Sequence, residues 1–436
     1  MFRTLINAFK NKEVRNKILI TLGLLFLYRI GCWLPVPGIS GEVFSFLDSG
    51  ENNLLSLLSA ITGSALANGA IFALGISPYI NASIIVQLLT AAIPAWEKYS
   101  KQGEEGRNKL NMITRYFTLG LATMQAVGIT VSWANAGGLE TALFAGTFLE
   151  TDWVVGVGVA IMLVAGSMFT TWLGERITEI GVGNGISLII FIGILSTAGL
   201  SIIATIGKIG TDEYAIWSLL GFLLLAIVVF ALIVFVDLAE RRIPIQYARQ
   251  IKGRKQYGGQ NTNIPIKVNA SGVLPIIFAT AILTFIPMLG QIFWPGTPFD
   301  NWWNAHLGTG TVWYSILLAL LILGFSFFYA QIQFNPEEVA RNIQQFGGYV
   351  PGIRPGKPTY EHLKKISKRI TLFGAIYLAF IALVPGILFS IFTFGDATLV
   401  NAMTATGMLI VVSVALEFDK QLQSLMMMKQ YKGFLK

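Results

Sequence analysis

Charge is what this sequence has least of. Of its 436 residues 12% are Asp, Glu, Lys or Arg while 54% are hydrophobic, and a soluble domain carries roughly twice that charge. Cysteine occurs once, at Cys32, which excludes an internal disulfide. The two histidines, His306 and His362, fall in different loops and exclude a histidine-based metal site. HExxH, GxSxG and Walker A patterns are all missing. The run "GVGNG" (181–185) falls short of a dinucleotide fingerprint and follows "WLGERITEI" in a short loop, not a strand. Every acid lies in a loop or near the end of an apolar run, which removes the buried carboxylates that ion-coupled transporters need. Arg29 is the only formal charge well inside an apolar run, placed to reach the outer interface by snorkelling. Neither ion coupling, nucleotide hydrolysis nor covalent catalysis has a carrier here, so the energy comes from a partner.

What the sequence has is apolar length. Ten stretches, about 18–36, 70–93, 116–134, 153–173, 183–203, 216–236, 270–293, 312–334, 370–392 and 398–416, are long enough to cross a ~30 Å hydrocarbon core as helices. With the N-terminus in the cytoplasm, the segments on that side hold 29 of the 31 Lys and Arg, the asymmetry expected of inward-facing loops. The C-terminus then returns to the same side. In "MFRTLINAFKNKEVRNK" (1–17), Phe2, Leu5, Ile6 and Phe9 recur at helical spacing among basic residues, as in a helix lying on a membrane surface. The first span runs into "WLPVPG" without a small-residue cleavage pattern and is read as uncleaved.

Five spans precede residue 211 and five follow, so two similar halves, 1–211 and 212–436, would be inserted upside down relative to each other. Gly/Pro interruptions stand at matching places: "GISPYINAS" with Pro78 in span 2 and "NASGVLPIIF" with Pro275 in span 7. Both spans are expected to kink or unwind there. Membrane helices tolerate single prolines; the matched pair points to a functional axis. The apolar run from Leu54 to Ile93 would be about 60 Å long as one helix, twice the hydrocarbon thickness. A short half-helix therefore enters from the outer face and turns back at "TGSALANGA" (62–70), within a cavity or else along the outer surface. The loops 237–269 and 335–369 are long and basic, with "YGG" and "VPGIRPG" at turn positions. They read as ordered projections for an anionic partner: ribosomal RNA, an acidic protein patch or anionic lipid headgroups.

Seven blocks carry a resemblance: "YRIGCWLPVPG" (28–38), "TGSALANGAIFALGISPYINASIIVQLL" (62–89), "GEEGRNK" (103–109), "WLGERITEIGVGNGIS" (172–187), "NIPIKVNASGVLPIIFA" (263–279), "FNPEEVARNI" (334–343) and "GGYVPGIRPGKPT" (347–359). In order and along essentially the whole chain, through the tail "LMMMKQYKGFLK" (425–436), the sequence resembles the SecY/Sec61-alpha family. The resemblance implies an all-α membrane protein of ten helices in two inverted five-helix halves around an hourglass pore, with a re-entrant plug half-helix. It implies a non-enzymatic channel without cofactor that passes unfolded polypeptides across the bacterial cytoplasmic membrane and releases transmembrane segments sideways between spans 2, 3, 7 and 8. Matched motif by motif, the pore ring falls on Ile76, Ile80, Ile190, Ile277 and Ile410. The plug falls on Leu57, Leu58, Ser59, Ala60, Ile61, Thr62, Gly63, Ser64, Ala65, Leu66, Ala67 and Asn68, without the basic residue of the family pattern. Arg254, Lys255, Arg354 and Tyr431 match positions that face the motor or the ribosome. Implied partners are SecE, SecG, the SecA ATPase, the ribosome, signal sequences with their nascent chains, and membrane lipid. A secondary transporter of a small solute would share the inverted halves and broken spans but needs buried ionisable groups.

Overall fold

The computed structural model describes residues 6, 8–39, 62–135, 152–210, 214–247, 250–252, 255–257, 261–269, 271–293, 298–308, 311–392 and 405–434. Helix α1 (Lys12–Gly31) starts at Asn11, whose side-chain oxygen accepts from the Glu13 N–H at 3.2 Å. There follow α2 (Ser77–Ala92), α3 (Pro94–Lys101), α4 (Glu104–Asn135), α5 (Asp152–Ile180), α6 (Gly185–Gly207) and α7 (Ala215–Asp237). The strands β1 (Glu240–Tyr247), β2 (Gln250–Lys252), β3 (Lys255–Tyr257) and β4 (Asn261–Lys267) come next, then α8 (Leu274–Phe293), α9 (Pro298–Leu307), α10 (Val312–Gln333) and α11 (Pro336–Gln345). Strand β5 (Gly348–Tyr349), α12 (Lys357–Phe392) and α13 (Ala405–Phe434) complete the order.

Ten of these helices occupy the ten apolar stretches: α1, α2, α4, α5, α6, α7, α8, α10, α12 and α13. Among the described residues, six are long and apolar enough by themselves to cross a membrane, namely α4, α5, α6, α7, α10 and α12. The others fall short for local reasons. Helix α1 carries Lys12, Glu13, Arg15 and Lys17 in its first turns, and α2 has only 16 residues because it starts at Ser77. The exposed Trp33, Trp153, Trp217 and Trp313 stand at the ends of α1, α5, α7 and α10 that the charge asymmetry places outside, where an aromatic belt belongs.

The packing of the first five membrane helices recurs in the last five. Helix α1 packs on α5 and α6, α2 on α4, α4 on α5, and α5 on α6. In the same relative order, α7 packs on α12 and α13, α8 on α10, α10 on α12, and α12 on α13. Among the described residues, the main contacts between the sets form two seams. At one, α6 meets α7 and α13; at the other, α8 meets α2 and α4.

Pro78 and Pro275 do not kink their helices from within. Each stands at the second residue of its helix, α2 and α8, where the missing N–H would have been unpaired anyway. Three residues before each proline a glycine turns the chain with positive φ, Gly75 at 52° and Gly272 at 63°. The expected unwinding is therefore real and lies ahead of the proline. The chain before it runs close to its own half. A β-carbon on Gly166 of α5 would collide with the Ile71 carbonyl, and one on Gly374 of α12 would come within 2.7 Å of the Val268 carbonyl.

The half-helix expected over 57–68 is corrected where the structure describes it. Residues 62–69 form turns, with Gly63 and Ser64 at φ 69° and 68°, a conformation no right-handed helix contains. Residues 57–61 lie outside the described residues. At the N-terminus, Ala8, Val14 and Ile18 are buried against Val182 and Leu422, while Ile6 and Phe9 remain exposed.

The two long loops are not independent. Strands β4, β1 and β5 form one antiparallel sheet in that order, with Ile243 opposite Ile264 and Gln246 opposite Tyr349. Ile243, Ile245 and Ile266 share a core with Ala340, Ile343, Val350 and Leu363. Helix α11 is capped by Asn335, whose side-chain oxygen accepts from the N–H groups of Glu337 and Glu338.

The tight crossing at Gly166 makes a signed expectation. Gly166→Ala should lower the stability of the detergent-solubilised protein by about 1–3 kcal/mol through overpacking. Gly158→Ala on the same helix, where the added methyl meets nothing within 4 Å, should raise it by up to about 1 kcal/mol through helix propensity. Thermal unfolding followed by circular dichroism separates the two; equal shifts would refute the close packing of α5 on the 71–76 chain.

Candidate functional site

The site is built around the unwound chain 62–76, which runs inside the first five-helix set. Its turns close on themselves, with Asn68 N–H donating to Ser64 O at 3.0 Å and Ala70 N–H to Ala65 O at 2.9 Å. It also pairs with the end of α1: Val36 N–H donates to Gly69 O and Ile71 N–H to Leu34 O, each at 2.9 Å. The Gly75 carbonyl, left without a helical partner, accepts from Ser167 Oγ at 3.2 Å and Thr170 Oγ1 at 2.9 Å. An unpaired buried carbonyl costs about 1–3 kcal/mol, which explains two hydroxyls on an otherwise apolar face of α5. Aromatic rings clamp the same chain: Tyr28 stacks on Phe72 at 5.9 Å, Phe72 on Phe169 at 5.8 Å, and Phe169 on Trp172 at 5.4 Å.

Arg29, expected to reach toward the outer interface, is held by two neighbours at the end of α1. Its Nη1 donates to the Gly63 carbonyl at 2.7 Å and its guanidinium lies 5.7 Å from the Trp33 ring centre. A charged group removed from bulk water is costly, and pairing with a backbone carbonyl is one way to offset it. Sequence reasoning noted the charge but missed its partner, 34 residues away. Where the chain meets α2, α4 and α8, a cavity of about 20 Å³ is lined in part by Thr62, Ser77, Asn81, Gln125 and Thr284, roomy enough for one water among polar groups.

Four of the five ring candidates are brought together. Ile76 and Ile190, both buried, and Ile80 and Ile410, both half-buried, share one apolar cluster with Leu188, Ile194 and Val414. That cluster joins α2 and α6 to α13 at the seam between the two helix sets. Ile76 packs beside Gly174 of α5. Ile277 of α8 is half-buried and lies outside this cluster; its neighbour Ile276 is fully buried in the core of the last five helices.

The candidate docking residues do not share one element. Arg354 is exposed, and its carbonyl accepts from Thr359 Oγ1 at 2.8 Å. It helps line an open cleft of about 470 Å³ with Gln344, Tyr349, Ile353 and Pro355. Lys255 begins β3, opposite Lys252. Arg254 lies outside the described residues, and Tyr431 falls within α13. The base of the sheet touches the membrane helices. Asn269 Nδ2 donates to Asp237 Oδ1 at 3.1 Å, and partial burial together with the neighbouring Lys267 holds the Lys420 amine below the usual lysine range, against Asp237 and Glu240. The strands escaped the sequence reading, although "RRIPIQY" and "NIPIK" alternate apolar and polar residues as half-buried strands do.

Comparison with known proteins was decisive. A family model described as SecY matches residues 70–418. Protein translocase subunit SecY of Halalkalibacterium halodurans is 41% identical, covering 100% of both chains. The protein of that name from Escherichia coli strain K12 is 40% identical, covering 97% of this chain and 94% of its own. Among solved structures, one titled "The structure of a protein conducting channel" superposes with a TM-score of 0.64 at 20% identity, covering 94% of this chain and 91% of the other. Canine Sec61 in a ribosome–channel complex superposes with a TM-score of 0.62 at 20% identity and the same coverage.

Proposed function

The chain belongs to the SecY family, and from that premise we infer that it is the polypeptide-conducting subunit of a protein translocase in the bacterial inner membrane. The observation that carries the inference is full-length similarity at about 40% identity to translocase subunits, on a fold shared with protein-conducting channels. A small-solute transporter is not favoured, because no carboxylate lies well inside the apolar stretches to hold a coupling ion. We read the chain as a channel without catalysis of its own. Its partners are SecE, SecG, the SecA motor and the ribosome, together with the signal sequence and nascent chain in transit. Structural neighbours include Sec61 and Ssh1 in ribosome complexes.

The halves 1–211 and 212–436 are proposed as the two inverted units, supported by their repeated packing order and matched Gly–Pro breaks. Both termini are placed in the cytoplasm on the charge asymmetry and the aromatic ends of α1, α5, α7 and α10. The pore ring is assigned to Ile76, Ile80, Ile190, Ile277 and Ile410, and the clustering of four of them at the α6–α13 seam favours it. A waist that passes unfolded chains of any sequence can use neither fixed charges nor hydrogen bonds, which would trap some substrates. Aliphatic side chains yield to a passing chain, and a narrow apolar constriction resists wetting and ion leak. The plug is assigned to 57–68, supported by the burial of Thr62, Ala65 and Leu66 and by the hydrogen bond from Arg29 to Gly63. The lateral gate is assigned to the seam of α2 and α4 with α8, flanked by α10. A nascent segment that prefers lipid leaves there, partitioning at about −0.5 kcal/mol per Leu and about +3 kcal/mol for a central Arg.

Two experiments test these assignments. Replacing Ile80 or Ile410 by Ser in the reconstituted translocase should raise resting ion conductance in planar bilayers several-fold; conductance unchanged in both would remove the ring. Charge reversal at Arg354, or at Arg254 and Lys255 together, should cut motor or ribosome binding at least tenfold and slow export, with the purified channel still folded. The binding defect should shrink as salt rises, because it is electrostatic. Normal export by both loop variants would refute the docking surface.

A further inference from the structure

Arg29 stands in the last turn of α1, and its hydrogen bond to Gly63 O at 2.7 Å ties that helix to the turn at 62–64. Gly63 is clasped from both sides. A β-carbon there would come within 2.9 Å of Arg29 Nη1 and 3.0 Å of the Gly193 Cα of α6. Consecutive left-handed residues at 63 and 64 are what aim the carbonyl back at α1, a conformation that costs an L-residue such as Ser64 energy unless its surroundings hold it. Thr62, Ala65, Leu66 and Ala70 are buried around the contact. Apolar burial is non-directional and would tolerate sliding of this segment. The charge-assisted hydrogen bond, among buried apolar neighbours, is directional and strong.

We propose that Arg29 is the positioning residue that latches segment 62–69 in its seat and thereby sets how readily the channel opens. The proposal rests on reading 57–68 as the plug. With the segment seated, the guanidinium has a carbonyl acceptor and the Trp33 face. When the segment leaves, the cation loses that acceptor and must be solvated, so release of the segment is coupled to entry of water on the outer side. The structure thus supplies from α1 the basic anchor that the plug sequence itself lacks.

The test uses the complete reconstituted translocase in planar bilayers and compares Arg29→Gln, Arg29→Lys, Gly63→Ala, deletion of 62–68, and that deletion combined with Arg29→Gln. Arg29→Gln should raise resting conductance roughly tenfold, the population shift from losing one charge-assisted hydrogen bond. Arg29→Lys should restore most of the seal, since an ammonium can still donate to Gly63 O. Gly63→Ala, with Arg29 intact, should leak as well, and it decides the matter if Arg29→Gln fails to assemble. The deletion should leak, and Arg29→Gln should add nothing to it. Tight Arg29→Gln or Gly63→Ala channels beside a leaky deletion would overturn the latch and leave the plug standing. Leak from Arg29→Gln that adds to the deletion would place the arginine's action elsewhere and also overturn it. A deletion that does not leak would instead remove the plug reading itself.

Discussion

A backbone carbonyl inside a bilayer has no water to turn to, and most of this molecule's unusual chemistry follows from that constraint. The chain gives up helix over 62–76, which frees polar groups at a depth where each unpaired one is costly. Ser167 and Thr170 exist on α5 to accept the consequence at Gly75, and Gly166 is small so that the two backbones can approach. Leu34 and Val36 pair the returning chain with the end of α1. The polar and small residues scattered through apolar runs are the cost of a broken span.

The last five helices meet the same constraint with different residues. Gly272 turns the chain, Pro275 opens α8, Gly374 admits the Val268 carbonyl, and Asn269 reaches Asp237. Between α7 and α8 the first pairing grows into a full hairpin, β1 with β4, where the first set has only the bridge of Pro35 with Ala70. One plan thus yields a buried segment in the first set and an exposed handle in the second.

Much of this was legible in the sequence because it follows from composition and period. The ten apolar stretches, the matched prolines and the ordered loops each leave a local signal. The failures have local causes too. Pro244 and Pro265 argue against strands, yet Pro244 lies where β1 has a partner only in β4, because β5 reaches no further than Gln246 and Tyr247; the missing donor is harmless on that open edge. Ile276 and Ile277 are neighbours in sequence and point about 100° apart on a helix, so a motif match alone cannot say which one enters the core. Consecutive left-handed residues at 63 and 64 stop a helix that the apolar run would otherwise favour. The partner of Arg29 is a main-chain oxygen, and main-chain oxygens carry no signature in a string of side chains.

Helix α12 belongs to two cores at once. Leu363 near its start is packed into the core of the sheet, while Leu378 and Ile381 are packed among the membrane helices, all on one continuous helix of 36 residues, about 54 Å long. Rods of that kind transmit tilt. Whatever grips the exposed sheet holds the short arm of a crowbar whose long arm is wedged between α7, α10 and α13.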